Sequence, residues 1–225
     1  TLPGITLDGV FTHFARADDL DKSAAEAQFS AFRKALEAIE AAGLSMAIRH
    51  CANSAATLEM PHTHLDMVRP GIILYGLNPT GVPCDPSRWP IELTPAMSLK
   101  THLSMVKEVA EDVPVSYGGT FVTRRPSRLG TLPVGYADGY TRMLSGKAEV
   151  VVRGKRAPQV GRICMDQCVV DITGTLAQEG DEVLLFGGVD APDAMPADEV
   201  AARLGTINYE ITCMVGKRVP RKYLP

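Results

Sequence analysis

The sequence predicts an α/β segment followed by an all-β segment. Residues 9–76 alternate between short apolar runs and helical periodicity, which is typical of βα units with a parallel sheet. Residues 98–188 hold a series of short β-branched runs bounded by Gly, Pro or Asp, as in a small sandwich or barrel. The 225 residues, 45% of them hydrophobic and 22% charged, suffice for one large or two modest globular domains.

The first segment opens with a strand and a helix. The run GVFTHFA at 9–15 predicts a buried strand. A helix is expected next at 22–42, with Gly43 as its C-terminal cap. Its apolar residues recur at spacings of three and four and form one face: Phe29, Phe32, Leu36 and Ile39. This helix should cover the sheet.

Two further strands are predicted in the first segment. One is LSMAIRH at 44–50, after which Asn53 and Ser54 mark the start of a short helix. The other is MVRPGIILYG at 67–76, whose strand character is interrupted by a Pro-Gly pair. Three strands are too few to close a barrel.

The second segment follows a proline-rich stretch at 81–95, which predicts a crossover between domains. Strand patterns then recur at short spacing, in the runs SLKTHLSMVKEVA, RLGTLPVGYADGY, AEVVVRG, KRAPQVGRICMDQCVVDI and DEVLLFGG. Two short helices are expected at 197–204 and 208–215, and a last strand at 218–224.

Composition and charge exclude several classes of function. Lys and Arg total 23 against 26 Asp and Glu, so a net charge of −3 offers no broad basic surface for nucleic acid. The chain has neither the apolar run of a membrane span nor the pattern of a signal peptide at its start, so we expect a cytoplasmic protein without membrane contact. Cys164 and Cys168 have no second ligand pair nearby, so no metal site is expected.

Four segments are richer in functional side chains than packing requires: THFARAD (12–18), RHCANSAAT (49–57), SYGGT (116–120) and GRICMDQ (161–167). From these and neighbouring segments we expect a chain of polar side chains: His13, His50, Arg69, Tyr117 and Tyr136. Ser54 and the amides of Gly71 and Ile72 are expected at strand ends, where barrel proteins hold phosphates.

In their order and spacing, seven motifs resemble the fold-type III alanine racemases: THFA, CANSAAT, MVRPGIILYGLNP, SYGGT, GYADGY, GRICMDQ and INYEITC. The resemblance implies a partial (β/α)8 (TIM-type) barrel in 1–80, a crossover in 81–95 and a C-terminal β-domain in 96–225. It also implies pyridoxal 5'-phosphate as cofactor, alanine as substrate and a homodimer with shared active sites. The implied role is the supply of D-alanine for peptidoglycan.

The resemblance implies that Tyr117 is the catalytic tyrosine, which takes or gives the α-proton on one face of the substrate. A phenol is a weak base near neutral pH and needs a cationic or hydrogen-bonding neighbour for this task. His13 matches its hydrogen-bond partner. Arg69 matches the arginine that faces the pyridine nitrogen of the cofactor, with His50 as its supporting contact.

The other matched residues bind cofactor and substrate or line the entrance. The cofactor phosphate is expected to contact Ser54, Gly71, Ile72 and Tyr209. The backbone of Met165 matches a contact to the substrate carboxylate, and Tyr136 with Tyr209 matches the gate that narrows the entrance. Asp18 and Arg162 match an outer pair along the entry corridor.

Two functional residues of the family have no match. The lysine that binds the cofactor covalently lies near the start of the family's barrel, together with the arginine that clamps the substrate carboxylate and several barrel strands. We therefore expect a missing N-terminal barrel segment. Three hypotheses stay open: an alanine racemase completed by that segment, a catalytically incomplete fragment, and a racemase that acts on serine or another small amino acid.

Each assignment also has a purely structural interpretation. Without the resemblance, Tyr117 beside two glycines is an aromatic residue that flanks a hairpin turn. His13 and His50 are then core histidines with satisfied hydrogen bonds, Arg69 is an ion-pair partner, and Met165 is an ordinary core residue.

Overall fold

The computed structural model describes residues 3–80, 89, 91–188 and 193–224. The chain divides into two compact units, Thr1–Leu93 (unit 1) and Thr94–Pro225 (unit 2). Unit 1 contains parallel strands and helices, and unit 2 contains antiparallel strands and two short helices. Most of the expected crossover at 81–95 lies outside the described residues. The predicted order, an α/β part followed by a β part, is confirmed.

Unit 1 is built on two parallel strands, β1 (Gly9–Phe11) and β2 (Ile48–His50). Their register places Phe11 opposite His50, and an isolated parallel bridge joins His50 to Met67. β1, β2 and the backbone at Met67 therefore run parallel to one another, as expected for βα units. Their carboxyl ends lie at one edge, where polar side chains can converge.

The helices of unit 1 match their predictions. Helix α1 spans Ser23–Ala41, within one residue of each expected end. Its buried face includes three of the predicted apolar residues: Phe29, Phe32 and Leu36. Gly43 follows with a φ of +73°, the left-handed conformation of a C-terminal cap. Helix α2 (Ser54–Glu59) begins after Asn53, whose side chain caps it.

Two expectations for the strands of unit 1 are wrong. Residues 67–76 form no strand beyond the bridge at Met67, and Ile72–Tyr75 is a short 3-10 helix. The Pro-Gly pair before it explains this, because proline cannot donate to a ladder and glycine lets the chain turn. The strand predicted at 9–15 is short and not buried: Phe11 is 63% exposed, since β2 is the only described strand that pairs with β1.

Unit 2 contains a seven-stranded antiparallel sheet and a two-stranded hairpin. The strands are β3 (Leu99–His102), β4 (Met105–Val109), β5 (Pro114–Val115), β6 (Phe121–Val122), β7 (Ser127–Leu132), β8 (Glu149–Val152), β9 (Lys155–Val160), β10 (Cys168–Asp171) and β11 (Glu182–Phe186). The order in the large sheet is β3-β11-β8-β9-β10-β7-β4, and β5 pairs with β6. Apolar side chains of the central strands are fully buried, among them Val150, Val152, Val170 and Val183.

Two helices follow the sheet, α3 (Ala197–Leu204) and α4 (Asn208–Met214), within one residue of the predicted ends. The strand expected at 218–224 does not form. That segment is held by side-chain contacts, since the guanidinium of Arg221 donates to the carbonyl oxygens of Val215, Gly216 and Val219. Across the ranges that the structure describes, every helix is too short or too polar to cross a membrane.

Candidate active site

Arg69 is the centre of a polar cluster in unit 1. Its Nη1 donates to Nδ1 of His50 at 2.5 Å, and its Nη2 donates to Nδ1 of His13 at 3.0 Å. Nη2 also contacts the carbonyl oxygens of Thr12 at 3.1 Å and Cys51 at 3.4 Å. Because a guanidinium only donates, both imidazoles must accept through Nδ1 and are therefore neutral, with the proton on Nε2.

The parallel register explains why these side chains meet. Phe11 and His50 are cross-strand neighbours whose rings stack 5.2 Å apart, and the Arg69 guanidinium lies 5.4 Å from the centre of the Phe11 ring. His13 lies two residues beyond Phe11, and Arg69 lies two residues beyond the bridge at Met67, so both return to the same face. The sequence pattern indicated Phe11 only as part of an apolar strand, yet its ring supports the cluster.

The electrostatics of the cluster favour a neutral His50. Burial lowers the pKa of His50, and the positive charge of Arg69 lowers this pKa further. The neutral imidazole is also the form that accepts the hydrogen bond from Arg69. The cluster therefore presents one fixed cation, held by neutral acceptors, at the carboxyl ends of the strands.

Ser54 and Gly71, both expected near a phosphate, contact each other. The Gly71 N–H donates to Ser54 Oγ at 2.8 Å, so this amide already has a partner within the chain. Ser54 is buried, and no acceptor for its own O–H is found within the described part of the chain. Ile72 starts the 3-10 helix, whose first amides have no acceptor inside the helix.

Asp18 is exposed in the loop between β1 and α1. Lys22 anchors this loop: its ammonium group donates to the carbonyl oxygens of Ala17 and Asp19, at 2.7 Å each, and forms an ion pair with Glu59. The loop that carries Asp18 is therefore tied to the end of α2.

In unit 2, Tyr117 opens a 3-10 turn between β5 and β6, and its side chain is 73% exposed. The preceding Ser116 donates through Oγ to the carbonyl oxygen of Arg162 at 2.6 Å. The Arg162 guanidinium lies against the turn so closely that a Cβ on Gly118 would be 2.9 Å from Nη1. Two of the predicted site residues, Tyr117 and Arg162, are thus on loops that contact each other.

Tyr136 and Met165 lie on two further loops of unit 2, and backbone hydrogen bonds connect these loops to each other. The Tyr136 N–H donates to the Cys164 carbonyl at 3.1 Å, and the Ala137 N–H donates to the Met165 carbonyl at 3.0 Å. A Cβ on Gly135 would lie 2.3 Å from the Cys164 carbonyl oxygen and 2.4 Å from that of Met165. Glycine at position 135 is therefore required for the two loops to lie this close together. The side chains of Tyr136 and Met165 are 43% and 53% exposed.

Tyr209 lies on α4, and the end of this helix packs on the same turn. Gly139 has a φ of +100°, and a Cβ there would lie 2.0 Å from the Met214 carbonyl oxygen. The Gly216 N–H donates to the Asp138 carbonyl at 2.8 Å. The GYADGY motif therefore holds both the Met165 loop and α4.

Two residues that link site segments were not predicted from the sequence. Arg218 contacts Asp138 at 3.4 Å and Asp166 at 2.7 Å, and so connects the loops of Tyr136 and Met165. Gln28 on α1 contacts the segment that carries His13. Neither had a usable signal, because a polar residue on a helix surface or in a basic tail is ordinarily solvated.

Within the described ranges, no three His, Cys, Asp or Glu side chains are arranged as metal ligands. Burial, and to a smaller extent the nearby Cys164, raises the pKa of the Cys168 thiol to about 12. A thiol with so high a pKa stays protonated near neutral pH.

Unit 1 has the parallel α/β pattern of part of a barrel, with an arginine held between two histidines at its strand ends, and unit 2 is a β-domain that presents tyrosines on connected loops. Residues 1–79 match the family model for the alanine racemase N-terminal domain, and residues 96–223 match the model for the C-terminal domain. The chain belongs to the alanine racemase family.

Individual relatives agree. The chain is 58% identical over 224 residues to an alanine racemase of Desulfovibrio desulfuricans, covering 99% of this chain and 58% of the relative. It is 49% identical over 225 residues to an alanine racemase of Desulforamulus reducens, covering 99% of this chain and 59% of the relative. The chain therefore spans less than two thirds of the length of these relatives.

Solved structures of the family support the predicted fold class. The alanine racemase from Bacillus anthracis with bound L-Ala-P matches with a TM-score of 0.90 and 38% identity, over 99% of this chain and 56% of that one. The Clostridium difficile 630 alanine racemase in complex with cycloserine matches with a TM-score of 0.84 and 41% identity, over 95% of this chain and 55% of that one. A partial barrel followed by a β-domain is thereby confirmed.

Proposed function

We propose that the complete polypeptide containing this chain is a pyridoxal 5'-phosphate-dependent alanine racemase, which interconverts L-alanine and D-alanine by two-base proton transfer. The observation that carries the proposal is the Arg69 cluster, in which two neutral histidines and two carbonyl oxygens hold one guanidinium. When bound, the cofactor supplies a conjugated ring that acidifies the α-proton of an amino acid.

The residues present in unit 1 fit the ring and phosphate ends of this cofactor. Ser54 accepts from the Gly71 amide and keeps its own O–H as a donor, which suits a phosphate oxygen. Gly71 brings no side chain to the site, and the amide of Ile72 adds a second donor. Tyr209 is proposed as a further phosphate contact, on the resemblance alone.

Arg69 sets the electronic character of the site. A guanidinium remains charged at any physiological pH and cannot give its proton to a pyridine nitrogen. Arg69 would therefore leave a pyridine nitrogen bound against it unprotonated, and the cofactor would withdraw electrons less strongly. Arg69 would in this way favour reversible proton exchange at the α-carbon over side reactions such as transamination.

No lysine of this chain matches the one that binds the cofactor covalently in the family. Unit 1 has two lysines, Lys22 and Lys34. The Lys22 ammonium group is engaged by two carbonyl oxygens and Glu59, and Lys34 is exposed on α1. We propose that the lysine lies in an N-terminal barrel segment, with residues 1–80 as the end of the barrel, 81–95 as crossover and 96–225 as the β-domain.

Unit 2 supplies the second base and the substrate contacts. Tyr117 would move the α-proton on one face, and its exposure in a single chain suits a side chain that completes the site of a partner subunit in a homodimer. The Met165 carbonyl accepts from the Ala137 N–H. The N–H of Met165 itself would bind the substrate carboxylate. Tyr136 would narrow the entrance, and Asp18 and Arg162 would line the corridor to it.

Two alternatives remain with this proposal: a catalytically incomplete fragment, and a racemase that prefers serine or another small amino acid. The wider role, a cytoplasmic enzyme that supplies D-alanine for peptidoglycan, follows from the family resemblance.

Borohydride reduction of the full-length polypeptide, followed by intact-mass and peptide mass spectrometry, tests the proposal. We expect the mass of the reduced cofactor on a lysine outside residues 1–225, together with conversion of L-alanine to D-alanine before reduction. Attachment to Lys22 or Lys34 would contradict the assignment. Conversion of serine in preference to alanine would select the alternative substrate. The isolated 24.2 kDa chain is expected to gain no mass on reduction.

A further inference from the structure

We propose that Gln28 is a positioning residue for the Arg69 cluster. It does not touch Arg69. Its side-chain amide fixes the segment 12–15, and this segment supplies two of the acceptors that hold the guanidinium. The part of the inference that concerns catalysis rests on the proposed racemase function.

Gln28 lies on α1 beside the buried Phe29 and reaches back to the end of β1. Its Nε2 donates to the His13 carbonyl at 2.7 Å and to Thr12 Oγ1 at 3.0 Å. Its Oε1 accepts from the Ala15 N–H at 3.1 Å. One amide group therefore satisfies three polar groups of a segment that has left the strand ladder.

The same segment faces Arg69 from its other side. Nη2 of Arg69 donates to the Thr12 carbonyl at 3.1 Å and to His13 Nδ1 at 3.0 Å. The last backbone bond from this segment to β2 is that of the Thr12 N–H to the His50 carbonyl, at 3.3 Å. Beyond it, the position of His13 depends on the buried Phe14 and on Gln28.

The contacts require a group that both donates and accepts. Glutamate at position 28 would keep the acceptor for the Ala15 N–H but would bring a negative oxygen against the His13 carbonyl. Methionine would keep nearly the same volume and make none of the three hydrogen bonds. These two substitutions therefore separate the shape of the side chain from its hydrogen bonding.

The experiment compares Gln28→Met, Gln28→Glu and the control Lys34→Met in the full-length protein. Lys34 is an exposed residue of α1, so its substitution introduces the same side chain without removing a contact in the described structure. Hydrogen exchange is measured by mass spectrometry, and alanine racemisation is measured for kcat and KM, with the thermal midpoint recorded for each variant.

We expect exchange of a peptide spanning residues 12–16 to accelerate in Gln28→Met and to stay at the wild-type rate in Lys34→Met. We expect kcat to fall roughly 10- to 100-fold with little change in KM, because a small misplacement of a catalytic group slows the reaction without weakening ground-state binding. Gln28→Glu, which can accept from the Ala15 N–H and from the Thr12 hydroxyl but not bind the His13 carbonyl, should give an intermediate exchange rate.

Unchanged exchange at 12–16 in both Gln28 variants would overturn the positioning role. A lower thermal midpoint with wild-type kcat would show that Gln28 is structural only. If Gln28→Met does not fold, Gln28→Glu decides by the same measurements. A wild-type protein without racemase activity would contradict the proposed function, while the exchange contrast would still report whether Gln28 holds the segment.

Discussion

Arg69 and His50 are joined by a 2.5 Å hydrogen bond in which the guanidinium Nη1 donates to the imidazole Nδ1. The bond requires a neutral His50, and both burial and the charge of Arg69 favour that form. The arginine in turn orients the imidazole, and a second histidine accepts from its other amino group. Each member of the cluster thus restricts the protonation state or the position of the next.

The first prediction concerns pH. The pKa of His50 is lowered from 6.5 in the folded chain, so the unfolded chain binds the proton more readily. The contribution of His50 to stability is therefore complete above about pH 6.5 and is lost as the pH falls through the lowered folded value. Urea unfolding of the wild type and His50→Gln is measured from pH 5 to 7.5. The free energy of unfolding of the wild type should exceed that of His50→Gln at pH 7.5, and this difference should shrink toward pH 5. His102→Gln, at an exposed position, should follow the wild type, and parallel curves for His50→Gln would contradict the assignment.

The second prediction concerns Arg69→Lys. A lysine keeps the charge but cannot span the acceptors on His13, His50 and Thr12 with one planar group. We expect kcat of the full-length enzyme to fall at least roughly tenfold, with an altered absorption spectrum of the bound cofactor. Arg33→Lys on the exposed face of α1 is the control and should match the wild type. A wild-type spectrum and kcat in Arg69→Lys would reduce Arg69 to a structural cation.

The third prediction concerns Tyr117→Phe, which removes only the phenol oxygen. Exchange of the α-proton with solvent deuterium should slow by roughly 10²- to 10⁴-fold for one enantiomer of alanine and much less for the other, because in the proposed mechanism Tyr117 serves only one face of the substrate. Cofactor content should stay at the wild-type level. Tyr223→Phe, at a 90% exposed position, serves as the control. Equal losses for both enantiomers would assign Tyr117 a structural role.

The fourth prediction concerns Tyr140, whose buried hydroxyl has no hydrogen-bond partner in the described structure. Burial raises the pKa of this phenol, and the nearby Cys168 raises it further. A buried donor without an acceptor costs about 1–3 kcal/mol, so Tyr140→Phe should raise the free energy of unfolding by about 1 kcal/mol in denaturant titrations. Tyr75→Phe, at a 45% exposed position, should change it little. A clear loss of stability in Tyr140→Phe would reveal an internal water as partner.

The fifth prediction compares two glycines with positive φ. A Cβ on Gly139 would collide with the Met214 carbonyl oxygen at 2.0 Å, whereas a Cβ on Gly174 would meet nothing within 4 Å. Gly174→Ala should therefore cost about 1–2 kcal/mol from backbone strain alone. Gly139→Ala should cost at least ~2 kcal/mol more, because the GYADGY turn must also move away from α4. Thermal unfolding measures both, and equal losses would refute the clash.

The accuracy of the sequence predictions depended on how local each signal was. Helix α1 was placed within one residue of each end because its apolar period and its glycine cap lie in the helix itself. The strand expected at 67–76 became a 3-10 helix, since a Pro-Gly pair outweighed the β-branched run that follows it. The strand expected at 218–224 had no described partner strand, and guanidinium contacts from Arg221 hold that tail.

The sequence by itself determined the order of an α/β part and a β-domain, the family, and which residue types carry chemistry, because motifs and hydrophobic periods are local. Only the tertiary structure decided that Arg69 is shared by two histidines, one 19 and the other 56 residues away. It likewise decided that the Gly71 amide is taken by Ser54 and that Gln28 holds the His13 segment. These contacts depend on the register of parallel strands and on where a helix packs, which no short stretch of chain encodes.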